Sequence, residues 1–498
     1  MRQKISTGLG TLLKHEYSCL TGRQACLRSV PKRILIPAVV LVLLAGCKNI
    51  NAPSVPYEQW APPKKVNNLS SDDKVWTGIR SRTPAAKEPL ALPQLLDIAF
   101  NNSPVTSRAW QDVRSKSAVL GQKKSGLFPQ VTIGADGTRE KSVANAGAVG
   151  KENQLRYGPS GRAELLLFDF GGRDAAIEAA YRGMLSSGFA FNQALQDLIL
   201  NVQTAYYELF SAYSMLEAAQ ADALDAKETL DAARIKFQVG IVSKLDQLQA
   251  EASYNSSLYD LEDAKGSLKT AKANLATVVG FSADTAFEIE RPDKELPSDI
   301  QEIDIREMID QALSDRPDIA SARSTLLQKQ ELVKEAASYL WPTVNLGGTY
   351  EHDWYKYYNA SNSRDDDYAY GGYLSLNWDI FDGFNNINKK LEAEAESEAE
   401  FENLRQLELQ ASADVWTKYY NYNTAVKKLE FSKAYLESSM ESHDLALEGY
   451  SEGLKSMLDL LQAQSSLSDA RAKLIDSEKG LFIAVAELAH ATGTLSTE

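Results

Sequence analysis

The side chains best suited to nucleophilic catalysis or metal binding, cysteine and histidine, are rare in this chain. Its 498 residues include three cysteines and four histidines. They are widely separated, at Cys19, Cys26, Cys47, His15, His352, His443 and His490. No spacing among them matches a zinc site, and the acidic pairs of the chain have no nucleophile beside them. The sequence therefore predicts no enzyme, no cofactor and no metal centre.

One cysteine, Cys47, stands where its thiol could be acylated. Two basic residues precede the apolar run 34–44, which is long enough for the core of a signal peptide and too short to span a bilayer. The run leads into Leu-Ala-Gly-Cys, which resembles the lipobox of bacterial lipoproteins. We predict that residues 1–46 are a lipoprotein signal peptide and that Cys47 is lipidated. Lys48 stands where an Asp favours retention in the inner membrane, so we expect the outer membrane as the destination.

The charge of the chain argues against a nucleic-acid partner. The formal net charge is −14, although residues 1–46 alone contain seven Lys or Arg and one Glu. The remainder is therefore strongly acidic, whereas surfaces that bind nucleic acid are basic. Charged residues make up 24% of the chain, and many lie in stretches rich in Ala, Leu and Gln, the composition of long helices. After residue 47 no run of about 18 apolar residues occurs, so the sequence predicts no transmembrane helix.

The chain contains an internal duplication with a constant offset of 213 residues. The matched pairs include Pro104 with Pro317, Pro129 with Pro342, Gly134 with Gly347, Phe168 with Phe381, Tyr206 with Tyr419, Gly240 with Gly453, Asp246 with Asp459 and Gly280 with Gly493. An ordered set without gaps predicts two structural repeats. We place repeat 1 at 90–280 and repeat 2 at 303–493. A linker at 281–302, an extended Pro-rich segment at 47–89 and a tail at 494–498 lie outside them.

Each repeat is predicted to contain two short helices, a strand pair and two long helices. Period-2 alternation marks strands of roughly ten residues, as where Leu374, Leu376 and Trp378 alternate with polar residues. About 68 residues without proline then predict a helix roughly 100 Å long, which needs a bundle or coiled coil. A glycine turn reverses the chain into the second long helix. The acidic segment between the last two strands, Arg364 to Asp367, is predicted to be a solvated loop.

The duplicated Phe-Pro and Trp-Pro steps, the Phe-Asp pairs after the strands and the two glycine turns together resemble the TolC-like outer-membrane factor family. The lipobox points to its lipoprotein branch, and the resemblance covers residues 90–493. It implies a mainly α fold with a small β part. Duplicated long helical hairpins would form a trimeric α-barrel, and four strands per chain would contribute to a twelve-stranded outer-membrane β-barrel.

The function implied by this resemblance is that of the outer-membrane channel of a tripartite efflux system. Such a channel passively conducts substrates to the exterior. Its implied partners are two further copies of the chain, a periplasmic adaptor (membrane fusion) protein, an inner-membrane transporter and outer-membrane lipid. The chain would be anchored in the outer membrane by lipid and extend into the periplasm.

The same resemblance implies a gate at the periplasmic mouth. By position, the gate residues are Asp246 in the first repeat and Tyr450, Lys455 and Asp459 in the second. Asp246 could accept hydrogen bonds from Tyr450 and Lys455 across neighbouring helices, and three copies of Asp459 would favour cations. Gln462 is uncharged at the family's second ring position, which argues against a double acidic ring. The predicted adaptor contacts are the turn residues Gly240, Ile241, Val242, Ser243, Gly453 and Leu454.

Two other functions fit parts of the sequence. Within transport, the chain could form a duct for type I protein secretion or for metal-ion export, since no pore residue decides the cargo. A protein of a different class, a lipid-anchored periplasmic coiled-coil scaffold, would explain the lipobox and the long helices. It would not explain the duplicated amphipathic strands with aromatic flanks.

Overall fold

The computed structural model of the chain describes residues 89–141, 154–291, 304–358 and 364–495. All of them belong to one compact unit, residues 49–498. Cys47, the signal segment and the Pro-rich segment up to residue 88 lie outside the described residues. The fold is mainly helical with a small antiparallel sheet of four strands, which confirms the predicted fold class.

The elements of the two halves correspond one to one. The first half consists of α1 (Leu92–Asn102), α2 (Pro104–Ser125), β1 (Gln130–Glu140), β2 (Gln154–Phe168), α3 (Gly172–Gln238) and α4 (Lys244–Val279). The second half consists of α5 (Ile305–Asp315), α6 (Pro317–Ser338), β3 (Thr343–Tyr357), β4 (Arg364–Asn377), α7 (Asn385–Ser451) and α8 (Met457–Ala491). Each helix of the second half starts 213 residues after its counterpart. The long helices α3 and α7 both contain 67 residues.

The four strands form one sheet in the order β1-β2-β3-β4, with every neighbouring pair antiparallel. The strands contain 11, 15, 15 and 14 residues, so they are longer than the roughly ten predicted. The loop prediction for Arg364 to Asp367 is wrong, because Arg364 pairs with Lys356 and Asp365 with Tyr355 in the β3–β4 ladder. Backbone pairing continues here through polar residues, which side-chain alternation could not reveal.

The two faces of the sheet differ in chemistry. Directly opposed residues share a face, so Ile133 and Tyr350 lie on one face with Tyr370, and Arg162 lies on the other. The first face is rich in exposed apolar groups. The second is rich in charges, including the ion pairs of Arg156 with Glu351 and with Asp353. The sheet is therefore amphipathic across its whole width.

The helices pack around α3, which contacts α2, α4, α6 and α8. Instead of one central core, separate apolar clusters lie along the bundle. One of them, the tip cluster, joins α3, α4, α7 and α8 near the glycine turns and consists of Leu230, Ala233, Ala250, Ala446, Tyr450, Met457, Leu460 and Ala463. Within the part of the chain that the structure describes, no helix is both long and apolar enough to cross a membrane.

Candidate functional site at the two helix turns

The two turns that reverse the long helices share one local arrangement. The sequence Gly-x-x-Ser-x-x-Asp occurs twice, at Gly240, Ser243 and Asp246 and at Gly453, Ser456 and Asp459. Both glycines have positive φ angles, 77° and 79°, which end α3 and α7 without the steric cost that a side chain would bring. Both serines are the N-cap residues of the helices that follow.

Each acidic gate candidate belongs to the capping box of its own turn. Asp246 accepts hydrogen bonds from the backbone N–H of Ser243 at 2.8 Å and from its Oγ at 2.7 Å. Asp459 accepts the same pair from Ser456 at 3.0 and 2.8 Å. These bonds, and the nearby charge of Lys455, hold the pKa of Asp459 below its usual value. Within the described chain, Asp246 is therefore bonded to its own turn and has no hydrogen bond to Tyr450 or Lys455.

Tyr450 and its counterpart Phe237 occupy different environments. Tyr450 is 6% exposed inside the tip cluster, whereas Phe237 is 38% exposed. The hydroxyl of Tyr450 is buried and meets no hydrogen-bond partner among the described residues. Burial, and then the negative charge of Asp246, raise the pKa of Tyr450 above its ordinary value. Because a buried hydroxyl without a partner costs free energy, Tyr450 is poised to donate a hydrogen bond that the single chain leaves unused.

Lys236, which lies outside the repeated turn motif, connects the two turns. Its Nζ lies 2.7 Å from the carbonyl oxygen of Tyr450, 3.4 Å from that of Ser451 and 4.0 Å from the centroid of the Tyr450 ring. The offset pairs Lys236 with Gly449, so the duplication gave no signal of this role. Only the tertiary structure at the tip cluster, where the ends of α3 and α7 come together, brings the lysine to the gate candidate.

Lys455 folds back on its own turn. A Cβ added at Gly449 would come within 2.7 Å of the Lys455 Cγ, so the lysine stem lies over this glycine. The backbone N–H groups of Leu454 and Lys455 both donate to the carbonyl oxygen of Gly449, at 2.7 and 3.0 Å. The glycine at 449 thus leaves room for Lys455 to lie flat beside the C-terminal end of α7.

The predicted adaptor contacts lie at exposed apolar tips. Ile241 is 71% exposed and Leu454 is 77% exposed. Val239, Leu245 and Leu458, which flank the turns, are also exposed. Apolar groups gathered at two neighbouring tips of an otherwise charged helical surface favour contact with a partner protein.

A groove of about 800 Å³ lies between α3, α4 and α8 next to the tip cluster. At this level Arg471 of α8 forms ion pairs with Asp222 and Asp225 of α3. The Oγ of Ser468 also donates to Asp222 at 2.6 Å. Gln464, which lines the groove, is 8% exposed, and its amide has no partner among the described residues. Polar contacts therefore join the second repeat to the first both beside this groove and at the helix turns.

Known proteins share both the fold and the sequence pattern of this chain. The family model described as outer membrane efflux protein matches residues 95–281 and 308–494, the two repeats. The chain belongs to the outer membrane efflux protein family. It is an outer-membrane efflux channel, as the sequence predicted.

Individual known proteins resemble this chain in sequence or in fold. Protein CyaE of Bordetella pertussis is 27% identical over 411 residues, covering 81% of this chain and 85% of that protein. Outer membrane protein TolC of Escherichia coli is 23% identical over 423 residues, covering 82% and 83%. The solved structure of the outer-membrane channel OprN matches with a TM-score of 0.72 at 20% identity, covering 81% of this efflux channel and 89% of that chain.

Proposed function

We propose that three copies of this efflux channel assemble into a passive duct that leads from an inner-membrane transporter and a periplasmic adaptor to the cell exterior. The observation that carries the proposal is the sheet. Among the described residues, each edge strand, β1 and β4, leaves one row of backbone groups unpaired. Lipid cannot satisfy such groups, and pairing β4 of one copy with β1 of the next removes every edge. Three copies would supply twelve strands.

The two faces of the sheet fit this assembly. Ile133, Tyr370 and Leu374 are 74%, 80% and 68% exposed in the single chain and would face lipid. The face that bears Arg156, Arg162 and their acidic partners would line a water-filled passage, where charged groups remain solvated. The long helices would extend the duct into the periplasm.

The helix turns would form the periplasmic mouth and its gate. In the closed assembly, Asp246 would accept hydrogen bonds from Tyr450 and Lys455, which would give the buried Tyr450 hydroxyl the partner that it lacks in the single chain.

Three copies of Asp459 would make the mouth prefer cations over anions. The reversal potential of the reconstituted channel in a salt gradient measures that preference. The apolar tips at Ile241 and Leu454, with Gly240, Val242, Ser243 and Gly453, would contact the adaptor.

Conductance of the purified protein in planar bilayers tests the proposed duct. We expect trimers that resist dissociation in SDS until heated and that conduct ions at all voltages without an energy source. The rival scaffold would also bind membranes through its lipid but would give no conductance. If the purified, lipidated protein stays monomeric and shows no conductance, the proposed duct is wrong.

We further propose that the lipid anchor is attached to Cys47. Cells grown with radioactive palmitate should label the wild-type chain, and Cys47→Ser should abolish the label while leaving the chain synthesised. Cys19 and Cys26 provide the matched controls, because both precede the expected cleavage point and their serine variants should still be labelled. Label that persists in Cys47→Ser would contradict this assignment.

A further inference from the structure

We infer that Lys236 is a positioning residue for the gate, holding Tyr450 and the end of α7 against α3 in the closed state. The inference rests on the proposed gate and adds to it a residue outside the gate motif. The residue acts on the gate through Tyr450 and need not touch the ions that pass.

The contacts of Lys236 are directed at the end of α7. That helix ends at Ser451, so the carbonyl groups of Tyr450 and Ser451 belong to its last turn, where acceptors lack partners within the helix. The Tyr450 carbonyl also accepts from the N–H of Gly453 at 3.2 Å. The ammonium group of Lys236, with its three donors, reaches both carbonyls. Its positive charge also complements the negative end of the helix dipole.

The same ammonium group lies 4.0 Å from the centre of the Tyr450 ring. A cation at this distance is attracted to the face of an aromatic ring, and the attraction grows when the ring is withdrawn from water. Tyr450 is 6% exposed, so the contact is largely shielded. One side chain thus fixes both the backbone and the ring of the gate tyrosine.

This contact crosses between the repeats. Lys236 belongs to α3, whereas Tyr450 belongs to α7. The first turn also has a lysine over its ring, since Nζ of Lys244 lies 5.4 Å from the centre of Phe237. Lys244, however, belongs to the helix that follows the same turn and donates to Gln247 at 3.0 Å. It therefore cannot fix one repeat relative to the other, which makes it a matched control.

If the gate opens by separating the end of α7 from α3, the two carbonyl bonds and the ring contact of Lys236 must break together. These contacts join helices of different repeats, so the packing within each hairpin does not depend on them. Lys236 should therefore stabilise the closed state relative to the open state, and it should contribute less to the folding stability of either helical hairpin.

The experiment compares Lys236→Met, Lys236→Arg and Lys244→Met in trimers reconstituted in planar bilayers. Methionine keeps an aliphatic stem and removes the ammonium group. We expect Lys236→Met to raise the open probability about tenfold, the scale of losing one hydrogen bond to a charged group. Lys236→Arg should stay near wild type, and Lys244→Met should leave the open probability unchanged.

The heating temperature at which trimers dissociate is measured on the same samples. If this temperature falls in Lys236→Met while the open probability stays at the wild-type value, the role is structural and the inference is wrong. Should Lys236→Met fail to assemble, Lys236→Gln takes its place with the same expectation and the same contrary outcome. The double variant Asp246→Ala with Lys455→Ala distinguishes the proposed gate from the role of Lys236. If it opens the channel and Lys236→Met does not, the gate stands and the role of Lys236 fails; if neither opens it, the proposed gate fails as well.

Discussion

Replacing Asp246 and Lys455 together with alanine is expected to raise the open probability of the reconstituted channel by about tenfold or more. The Tyr450 hydroxyl is buried without a partner in the single chain, and the charge of Asp246 is near enough to raise the pKa of that group. In the proposed closed assembly Asp246 would be the acceptor for this hydroxyl. Removing the carboxylate and the lysine would leave Tyr450 unpaired in the closed state, so the closed state would lose stability relative to the open one.

A control is needed because Asp246 also caps α4. Ser456→Ala removes the corresponding serine hydrogen bonds in the second turn while leaving Asp246, Tyr450 and Lys455 in place. A lost cap costs about 1 kcal/mol of helix stability, but the gate contacts would remain. Asp459 keeps its hydrogen bond from the backbone N–H of residue 456, so we expect this control to keep the wild-type open probability. If the double alanine variant and the wild type have the same open probability, these residues do not form the gate.

The replacement Gly158→Ala is expected to disrupt the sheet and prevent stable assembly. Between the pairs Tyr157–Trp354 and Ser160–Glu351 the β2–β3 register has no paired residues at Gly158 and Pro159. Proline cannot donate to the ladder, and the chain of β3 comes so close that a Cβ at Gly158 would overlap the carbonyl oxygen of His352. The strands would have to separate at the junction between the two hairpins. The cost should reach about 3 kcal/mol, the upper range for overpacking.

Gly161→Ala is the matched control in the same strand. A Cβ there would have the Tyr350 carbonyl oxygen as its nearest neighbour at 4.0 Å, an ordinary contact distance. Semi-native gel electrophoresis across a temperature series measures the outcome. The Gly158 variant should give little heat-dissociable trimer and no conductance, whereas the Gly161 variant should resemble the wild type. Normal trimers from Gly158→Ala would mean that the β2–β3 junction tolerates a wider spacing.

The repeated layout of this protein follows from local features of its sequence. Proline and glycine act on the backbone of their immediate neighbours, so Pro104, Pro317, Gly240 and Gly453 mark boundaries that the structure reproduces to within a few residues. Helical periodicity and strand alternation are likewise local. The ends of the strands could not be predicted from side-chain alternation, because polar residues such as Asp365 pair through the backbone whatever their side chains are.

The differences between the two copies arise from tertiary packing. Tyr450 is buried and Phe237 is exposed although they are equivalent in the repeat, because each meets different neighbours once four long helices pack together. In the same way Lys236 reaches Tyr450 across 214 residues of chain, a contact that no local pattern encodes. The family resemblance implied that Asp246 is a gate residue, whereas in the single chain its carboxylate accepts hydrogen bonds from Ser243 of its own turn. Local rules set where the helices turn, and long-range packing set which turn holds the buried tyrosine.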